Sequence, residues 1–148
     1  MSKFSRSKGK RGELEAIHQL EALTGLALAR EHGQSAVGGH DCTVRLAGGA
    51  VVCLEIKRCE TEEHGPWWEQ ATASSARVPG GVPVVVWRRS RQPWRVRVPL
   101  GWLRGEPWPL DGWADSTAVI SLESFAQLLR VLTEVSTAPR DRATIELD

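Results

Sequence analysis

Residues 40–59, HDCTVRLAGGAVVCLEIKRC, constrain the fold more than any other part of the chain. The pattern predicts two strands joined by a tight turn at residues 48–49. Residues 51–56 are apolar except for one glutamate, which is typical of a strand that is covered on both faces. Because side chains alternate along a strand, Glu55 and Lys57 are predicted to share a face. A carboxylate and an ammonium that are covered in this way both need partners.

Two interpretations of this Asp…Glu-x-Lys pattern are open. The first is a structural Glu–Lys ion pair on a half-exposed strand, which is the commoner explanation of an isolated E-x-K sequence. The second is the core of a metal-dependent nuclease, in which Asp41 reaches the same ion if the two strands pair in register. The GGHD sequence that ends at Asp41 and the apolar residues around Glu55 favour the nuclease.

Composition places the chain among globular proteins. Its 148 residues are 41% hydrophobic and 25% charged, which predicts a single domain over residues 1–148 with its own core. We find no apolar run long enough to span a bilayer and no signal-peptide stretch, so we expect an intracellular protein without a membrane partner. Three cysteines without C-x-x-C spacing indicate free thiols in a reducing compartment.

The formal net charge is only +1, but the positive charges are clustered. Residues 3–11 and 88–97 each hold five lysines or arginines and no acid. A basic run is often a solvated surface, whereas two such runs in a nearly neutral chain indicate one positive face that suits nucleic acid. We predict that residues 1–8 form a flexible basic arm and that residues 136–148 form a loose tail.

The first predicted helix spans residues 9–24. Projected at about 100° per residue, it places Glu13 within its apolar arc and Glu15 on the opposite, wet face. The position of Glu13 has two explanations. An acid in the first turn is favoured by the helix dipole. Alternatively, Glu13 is a third carboxylate that faces the same sheet as Glu55.

The remaining pattern predicts an alternation of strands and helices. A glycine-rich loop precedes Asp41, and its Ser35 can donate a hydrogen bond to a phosphate. A second helix begins at Pro66, and its face with Gln70 is either an ordinary polar face or one turned to a ligand backbone. The predicted elements are a strand at 26–30, the loop at 31–40, a helix at 66–77, strands at 82–87 and 94–98, an irregular segment at 99–118 and an amphipathic helix at 121–135.

This order of elements resembles the PD-(D/E)xK nuclease superfamily, and more closely the archaeal-type Holliday junction resolvases. The chain would be a phage-encoded member of that group. The resemblance covers residues 8–100. It departs from the archaeal pattern at Leu14, where an arginine is expected, and in a longer loop, which puts junction recognition in question more than the chemistry. Four features carry it: Lys8-Gly9 with Glu13, Arg30, Asp41, and Glu55-Ile56-Lys57.

The resemblance implies an α/β, restriction-endonuclease-like fold with a mixed central sheet flanked by helices. It also implies a homodimeric, metal-dependent endonuclease that resolves four-way DNA junctions by phosphodiester hydrolysis, acting in the host cytoplasm if phage-encoded. The alternatives are another PD-(D/E)xK endonuclease of restriction or repair type, or a non-catalytic DNA-binding module.

Under this resemblance the expected cofactor is Mg²⁺, with Mn²⁺ as a substitute. Its expected ligands are Asp41, Glu55 and the carbonyl oxygen of Ile56, joined by Glu13 directly or through water. Lys57 is expected to orient the attacking water and to stabilise the transition state. The residues expected to hold the DNA backbone are Lys8, Lys10, Arg11, Arg30, Ser35 and Gln70.

Overall fold

The structure is a computed structural model, and it describes the backbone of residues 3–30, 41–105 and 116–134 and the side chains of 9–30, 41–105 and 116–133. Its strands form one six-stranded sheet in the order of the sequence. The elements are α1 Lys3–Thr24, β1 Ala29–Arg30, β2 Cys42–Arg45, β3 Val51–Cys59, α2 His64–Ser75, β4 Gly81–Arg89, β5 Arg95–Pro99, α3 Leu100–Leu103, β6 Thr117–Ser121 and α4 Leu122–Glu134.

The sheet is mixed, because β3 and β4 run parallel whereas the other neighbouring strands pair antiparallel. Parallel neighbours need a crossover connection, and α2 supplies it between β3 and β4. The predicted α/β fold with a mixed central sheet and flanking helices is confirmed.

The larger core lies between the sheet and the two helices α1 and α4. In β3, Val52, Leu54 and Ile56 point to this side, as the alternating pattern predicts. They meet Leu20 of α1, while Phe125 of α4 is fully buried in the same cluster. Amphipathic helices are stabilised chiefly by burying such a stripe, so these contacts fix α1 and α4 on one face of the sheet.

A smaller apolar cluster lies on the opposite face, under α2. Trp67 and Ala71 of this helix pack against Val85 and Trp87 of β4. Glu55 lies on this face of β3 and is only 3% exposed. The prediction that this strand is covered on both faces is confirmed.

Helix α1 approaches β3 very closely at Gly12. A Cβ atom on this glycine would lie 2.8 Å from the Cβ of Arg58, closer than two such atoms approach in real structures. A glycine is therefore required at this point for the helix to pack against the strand at this distance. The same contact places the next residue of α1, Glu13, near the end of β3.

Two predicted boundaries near the N-terminus are wrong. The first helix was expected to begin at residue 9, but α1 begins at Lys3, and the flexibility of a basic arm at 1–8 stays a prediction. Basic residues are good helix formers, so the single glycine at position 9 costs too little to stop the helix. The first strand was expected at 26–30 but contains only Ala29–Arg30, because side chains of α1 take the N–H groups of Leu26 and Leu28.

The segment 99–118, predicted to be irregular, contains the short helix α3 and the start of β6. Strand β6 pairs with β5 although its five residues are too few to show a clear alternation. Ser121 ends β6 and also caps α4, since its Oγ accepts the N–H of Ser124 at 3.0 Å, which confirms the predicted cap. The predicted tail at 136–148 lies outside the described residues.

Two further observations concern the predicted cellular environment. Within the described segments, no helix has the length and apolar character needed to cross a membrane. Cys42, Cys53 and Cys59 are all free thiols, as their spacing predicts. Burial raises the pKa of the Cys42 thiol to about 12, which keeps it protonated and unreactive.

Candidate active site

The hairpin of β2 and β3 brings Asp41 to the middle of β3. Cys42 pairs with Leu54, so Asp41 lies opposite Glu55 across the two strands. The Oδ2 atom of Asp41 accepts a hydrogen bond from the backbone N–H of Ile56 at 2.6 Å. This side-chain bond takes the place of the backbone bond that a longer β2 would make to Ile56. The N–H and C=O of a strand residue point to the same edge, so the Ile56 carbonyl is directed towards Asp41 as well.

Glu55 is held by two donors through one of its oxygens. Its Oε1 accepts from Lys57 Nζ at 2.9 Å and from Gln70 Nε2 at 2.8 Å. Lys57 Nζ also donates to Gln70 Oε1 at 3.1 Å. The other oxygen, Oε2, is buried and has no hydrogen-bond partner. The predicted shared face of Glu55 and Lys57 is confirmed, and Glu55 presents one unsatisfied oxygen.

The carboxylates around this point carry unbalanced negative charge. Burial, followed by the charge of Glu55, raises the pKa of Asp41 to about 6. Burial also raises the pKa of Glu55, although Lys57 opposes the shift. The pKa of Glu13 is raised by burial and next by the charge of Asp41. Desolvation and like charge both disfavour ionisation, so a cation placed here would be stabilised by all three groups.

Glu13 and Glu15 leave α1 towards different parts of the sheet. Glu13 lies near Asp41 and approaches Arg30, with 3.8 Å between Oε2 and the Arg30 Nη2. Glu15 binds Arg88 at 2.9 and 3.1 Å and lies 4.0 Å from Arg58. The prediction that Glu15 occupies an opposite, wet face is therefore wrong. Helix α1 crosses the ends of β3 and β4, so residues on both flanks of its buried stripe contact the sheet.

The oxygen atoms at this point fit a hard divalent ion. In the part of the chain that the structure describes, no three or more His, Cys, Asp or Glu side chains are close enough to hold a metal by themselves. Mg²⁺ is usually bound by only one or two carboxylates and keeps several waters. Asp41, the unsatisfied Oε2 of Glu55 and the carbonyl of Ile56 supply such a set. The buried oxygen without a partner is the feature that a metal would satisfy.

The predicted DNA-binding residues have varied surroundings. Lys10 and Arg11 are exposed on α1, and Arg30 is half-buried beside Glu13. Gln70 is exposed on α2, yet its amide contacts Glu55 and Lys57. The side chain of Lys8 and all of Ser35 lie outside the described residues, and the DNA contacts of this set stay predictions.

Sequence reasoning missed the partners of two residues. It did not anticipate that Gln70 joins Glu55 to Lys57, or that Glu15 is bound by Arg88. The helical spacing of Gln70 placed it on a polar face without showing which strand that face meets. The alternation in β4 offered a signal for Arg88, since it falls on the same face as the core residue Val86 and therefore faces α1.

Comparison with known proteins decides the family. The model of a family described as "Phage putative PDDEXK endonuclease" matches residues 4–103, more than half of the chain. The chain belongs to this family. The match ends at the last residue of α3, so β1–β5, α2 and every candidate site residue lie within it, whereas β6 and α4 lie beyond it.

Other comparisons add less to this endonuclease family assignment. No curated protein sequence matches the chain. The structure is similar to that of Hjc, a Holliday junction resolvase from the archaeal hyperthermophile Archaeoglobus fulgidus, with 19% identity and a TM-score of 0.46. The alignment covers 87% of this chain and 95% of Hjc.

Proposed function

We propose that this member of the phage PDDEXK endonuclease family hydrolyses DNA phosphodiester bonds with a divalent metal, Mg²⁺ or Mn²⁺. The observation that carries the proposal is that Oε2 of Glu55 is buried and has no hydrogen-bond partner. Asp41 lies opposite Glu55, and its pKa is raised to about 6. Such an unbalanced carboxylate pair is costly unless a cation binds it.

Each residue of the site has a distinct role in this proposal. Asp41, Glu55 and the Ile56 carbonyl would hold the ion, and Glu13 would bind it directly or through water. The ion lowers the pKa of a bound water and neutralises charge that develops on the phosphate. The Lys57 ammonium, fixed 2.9 Å from Glu55 Oε1, would orient the attacking water and stabilise the same charge.

The DNA backbone would be held by the cations around this site. Lys10 and Arg11 are exposed on the N-terminal part of α1, which also carries Lys8 and Glu13. Arg30 and Ser35 belong to the same proposed contact set, whereas Gln70 is left out of it because its amide binds Glu55 and Lys57. Contacts of this kind to phosphate fix the position of DNA without reading its sequence.

The proposed substrate is a four-way DNA junction and the proposed active form is a homodimer. The support is the sequence pattern of Lys8-Gly9 with Glu13, Arg30, Asp41 and Glu55-x-Lys57, which resembles the archaeal-type Holliday junction resolvases. A two-fold symmetric dimer presents two identical sites, so paired symmetric cuts in a junction follow from its symmetry.

The test compares single-turnover cleavage of a four-way junction and of a duplex with the same sequence, in Mg²⁺ and in EDTA, with the mass measured by light scattering. We expect a dimer that cuts the junction in Mg²⁺. Asp41→Asn and Glu55→Gln should each reduce cleavage by about 10³-fold while binding of DNA persists, since removing one preorganised electrostatic group costs about this much.

Each contrary result has a defined meaning. If junction and duplex are cleaved equally, or if the protein is a monomer by light scattering, it is a PD-(D/E)xK endonuclease of another type and not a resolvase. Near-normal cleavage by Glu55→Gln would refute the site. DNA binding without cleavage in any divalent metal would leave a non-catalytic DNA-binding module.

A further inference from the structure

Gln70 has both ends of its side-chain amide engaged although the residue itself is exposed. Its Nε2 donates to Glu55 Oε1 at 2.8 Å, and its Oε1 accepts from Lys57 Nζ at 3.1 Å. Lys57 Nζ also contacts Glu55 Oε1 directly at 2.9 Å, so the three side chains form a closed ring of hydrogen bonds in which each contacts the other two. The ring contains the two side chains that define the E-x-K sequence and one side chain from a different element.

The chemistry of the three groups allows one arrangement of the amide. An ionised carboxylate can only accept, and an ammonium can only donate. The amide nitrogen of Gln70 must therefore face Glu55, and its oxygen must face Lys57. The terminal torsion of a glutamate is broad, so without a second donor on Oε1 the carboxylate of Glu55 is free to turn.

The helix that carries Gln70 is firmly packed on the sheet. Trp67 and Ala71, which flank Gln70 on α2, are buried against Val85 and Trp87 of β4. Ser74, one turn further along, is buried too. A side chain on a rigid element holds its partners more tightly than one on a loop.

We propose that Gln70 is a positioning residue for the site. It holds Oε1 of Glu55 and Nζ of Lys57, and thereby leaves Oε2 of Glu55 available for the proposed metal. This inference rests on the proposed function, and it differs from the predicted role of Gln70 as a DNA contact, because both polar atoms of its amide are used within the protein.

The test replaces Gln70 by methionine, which keeps the length of the side chain and removes both hydrogen bonds. The matched control is Glu69→Gln, at the neighbouring exposed position of the same helix. Outer partners of metal ligands typically change metal affinity or activity by 10–100-fold. For Gln70→Met we therefore expect a single-turnover rate at saturating DNA that is lower by about 10–100-fold, with the Kd for DNA unchanged.

A second measurement does not depend on activity. Calorimetric titration of the DNA-free protein with Ca²⁺ should show binding weakened by about 10-fold in Gln70→Met and unchanged in Glu69→Gln. The melting temperature of Glu69→Gln should equal that of the wild type, and Gln70→Met should keep a single cooperative unfolding transition although it removes a donor from the buried Glu55. Together these results would separate positioning from a merely structural role.

Three outcomes would overturn the inference. An unchanged rate and unchanged Ca²⁺ affinity would show that the ring is incidental. A weaker Kd for DNA with an unchanged rate would make Gln70 a DNA contact. A loss equal to that of Glu69→Gln would indicate a general effect on α2. Glu55→Gln, measured in the same series, tests the proposed function separately: if it cleaves normally, the site itself is wrong whatever Gln70 does.

Discussion

Glu13 and Glu15 lie two residues apart on α1 and are similarly exposed, at 28% and 32%, yet they enter opposite electrostatic environments. Glu15 binds the guanidinium of Arg88 through two contacts and approaches that of Arg58. Glu13 approaches one arginine at 3.8 Å and shares its surroundings with Asp41, whose charge helps to raise its pKa.

The contacts of Glu15 stabilise the fold, whereas the negative charge of Glu13 does not. The negative charge of Glu15 is compensated within the protein by Arg88 and Arg58, so its contacts contribute to the attachment of α1 to β3 and β4. The cluster of Glu13, Asp41 and Glu55 has an excess of negative charge, and such perturbed groups are concentrated at functional sites. Under the proposed function, binding of a cation would offset the stability that this cluster costs.

Neutralising each glutamate should affect cleavage very differently. Glu13→Gln should reduce the single-turnover rate by about 10²-fold, because it removes a charge next to the proposed metal. Glu15→Gln should leave the rate within a few-fold of the wild type, since its partners lie on the other side of α1. Equal losses in the two variants would show that both glutamates act through the docking of the helix.

The second prediction concerns the dependence of stability on pH in the absence of metal. The folded state raises the pKa of Asp41 from 3.8 to about 6, so this group favours folding below pH 3.8 and loses that contribution as the pH rises through 6. Asp41→Asn should remove the loss and be more stable than the wild type at pH 7 in EDTA by about 1–3 kcal/mol.

Denaturant titrations of both proteins at a series of pH values check this. Saturating Mg²⁺ should abolish the advantage of the variant, because the ion stabilises the charged carboxylate in the wild type alone. A stability difference that is constant between pH 4 and pH 7 would contradict the raised pKa.

A weaker effect is expected for the contact of Glu15 with Arg88. A double-mutant cycle with Glu15→Gln and Arg88→Met should give a coupling free energy of about 0.5–1 kcal/mol, the range of partly exposed ion pairs. The exposed pair of His64 and Glu62, with 3.4 Å between Nε2 and Oε2, is a control that should give less. A coupling near zero would mean that Glu15 does not hold α1, and the contrast with Glu13 would lose its physical basis.

The parts of the fold and site that local pattern determines were predictable. Strand alternation and the glycine turn placed Asp41, Glu55 and Lys57 together, because a hairpin fixes its own register. The fold class followed from the resemblance of the element order and motifs to the PD-(D/E)xK nuclease superfamily. The start of α1 was not predictable, since Lys3–Thr24 has no strong start signal. Strand β6 was not predictable either, because it is stabilised mainly by pairing with β5.

Contacts between distant elements could not be read from the sequence in the same way. The wheel projection placed Glu13 correctly towards the sheet but treated the helix as if only one stripe could touch it. The contact of Glu15 with Arg88 depends on the angle at which α1 crosses the strand ends. The contact of Gln70 with Glu55 depends equally on how α2 lies over β3, which is decided by the packing of Trp67 and Ala71.

The glycine at position 12 connects helix packing to reactivity. It is followed by Glu13, and it touches Arg58, which follows Lys57. An alanine there would place its Cβ 2.8 Å from that of Arg58, whereas ordinary contact begins near 3.4 Å, so α1 would have to retreat by the difference. Displacements approaching 1 Å at a reacting centre cost about 10²-fold in rate. The absence of a side chain at position 12 thus sets how near Glu13 lies to the strand of Lys57, and under the proposed role of Glu13 a larger residue there would change the rate of cleavage without any change of charge.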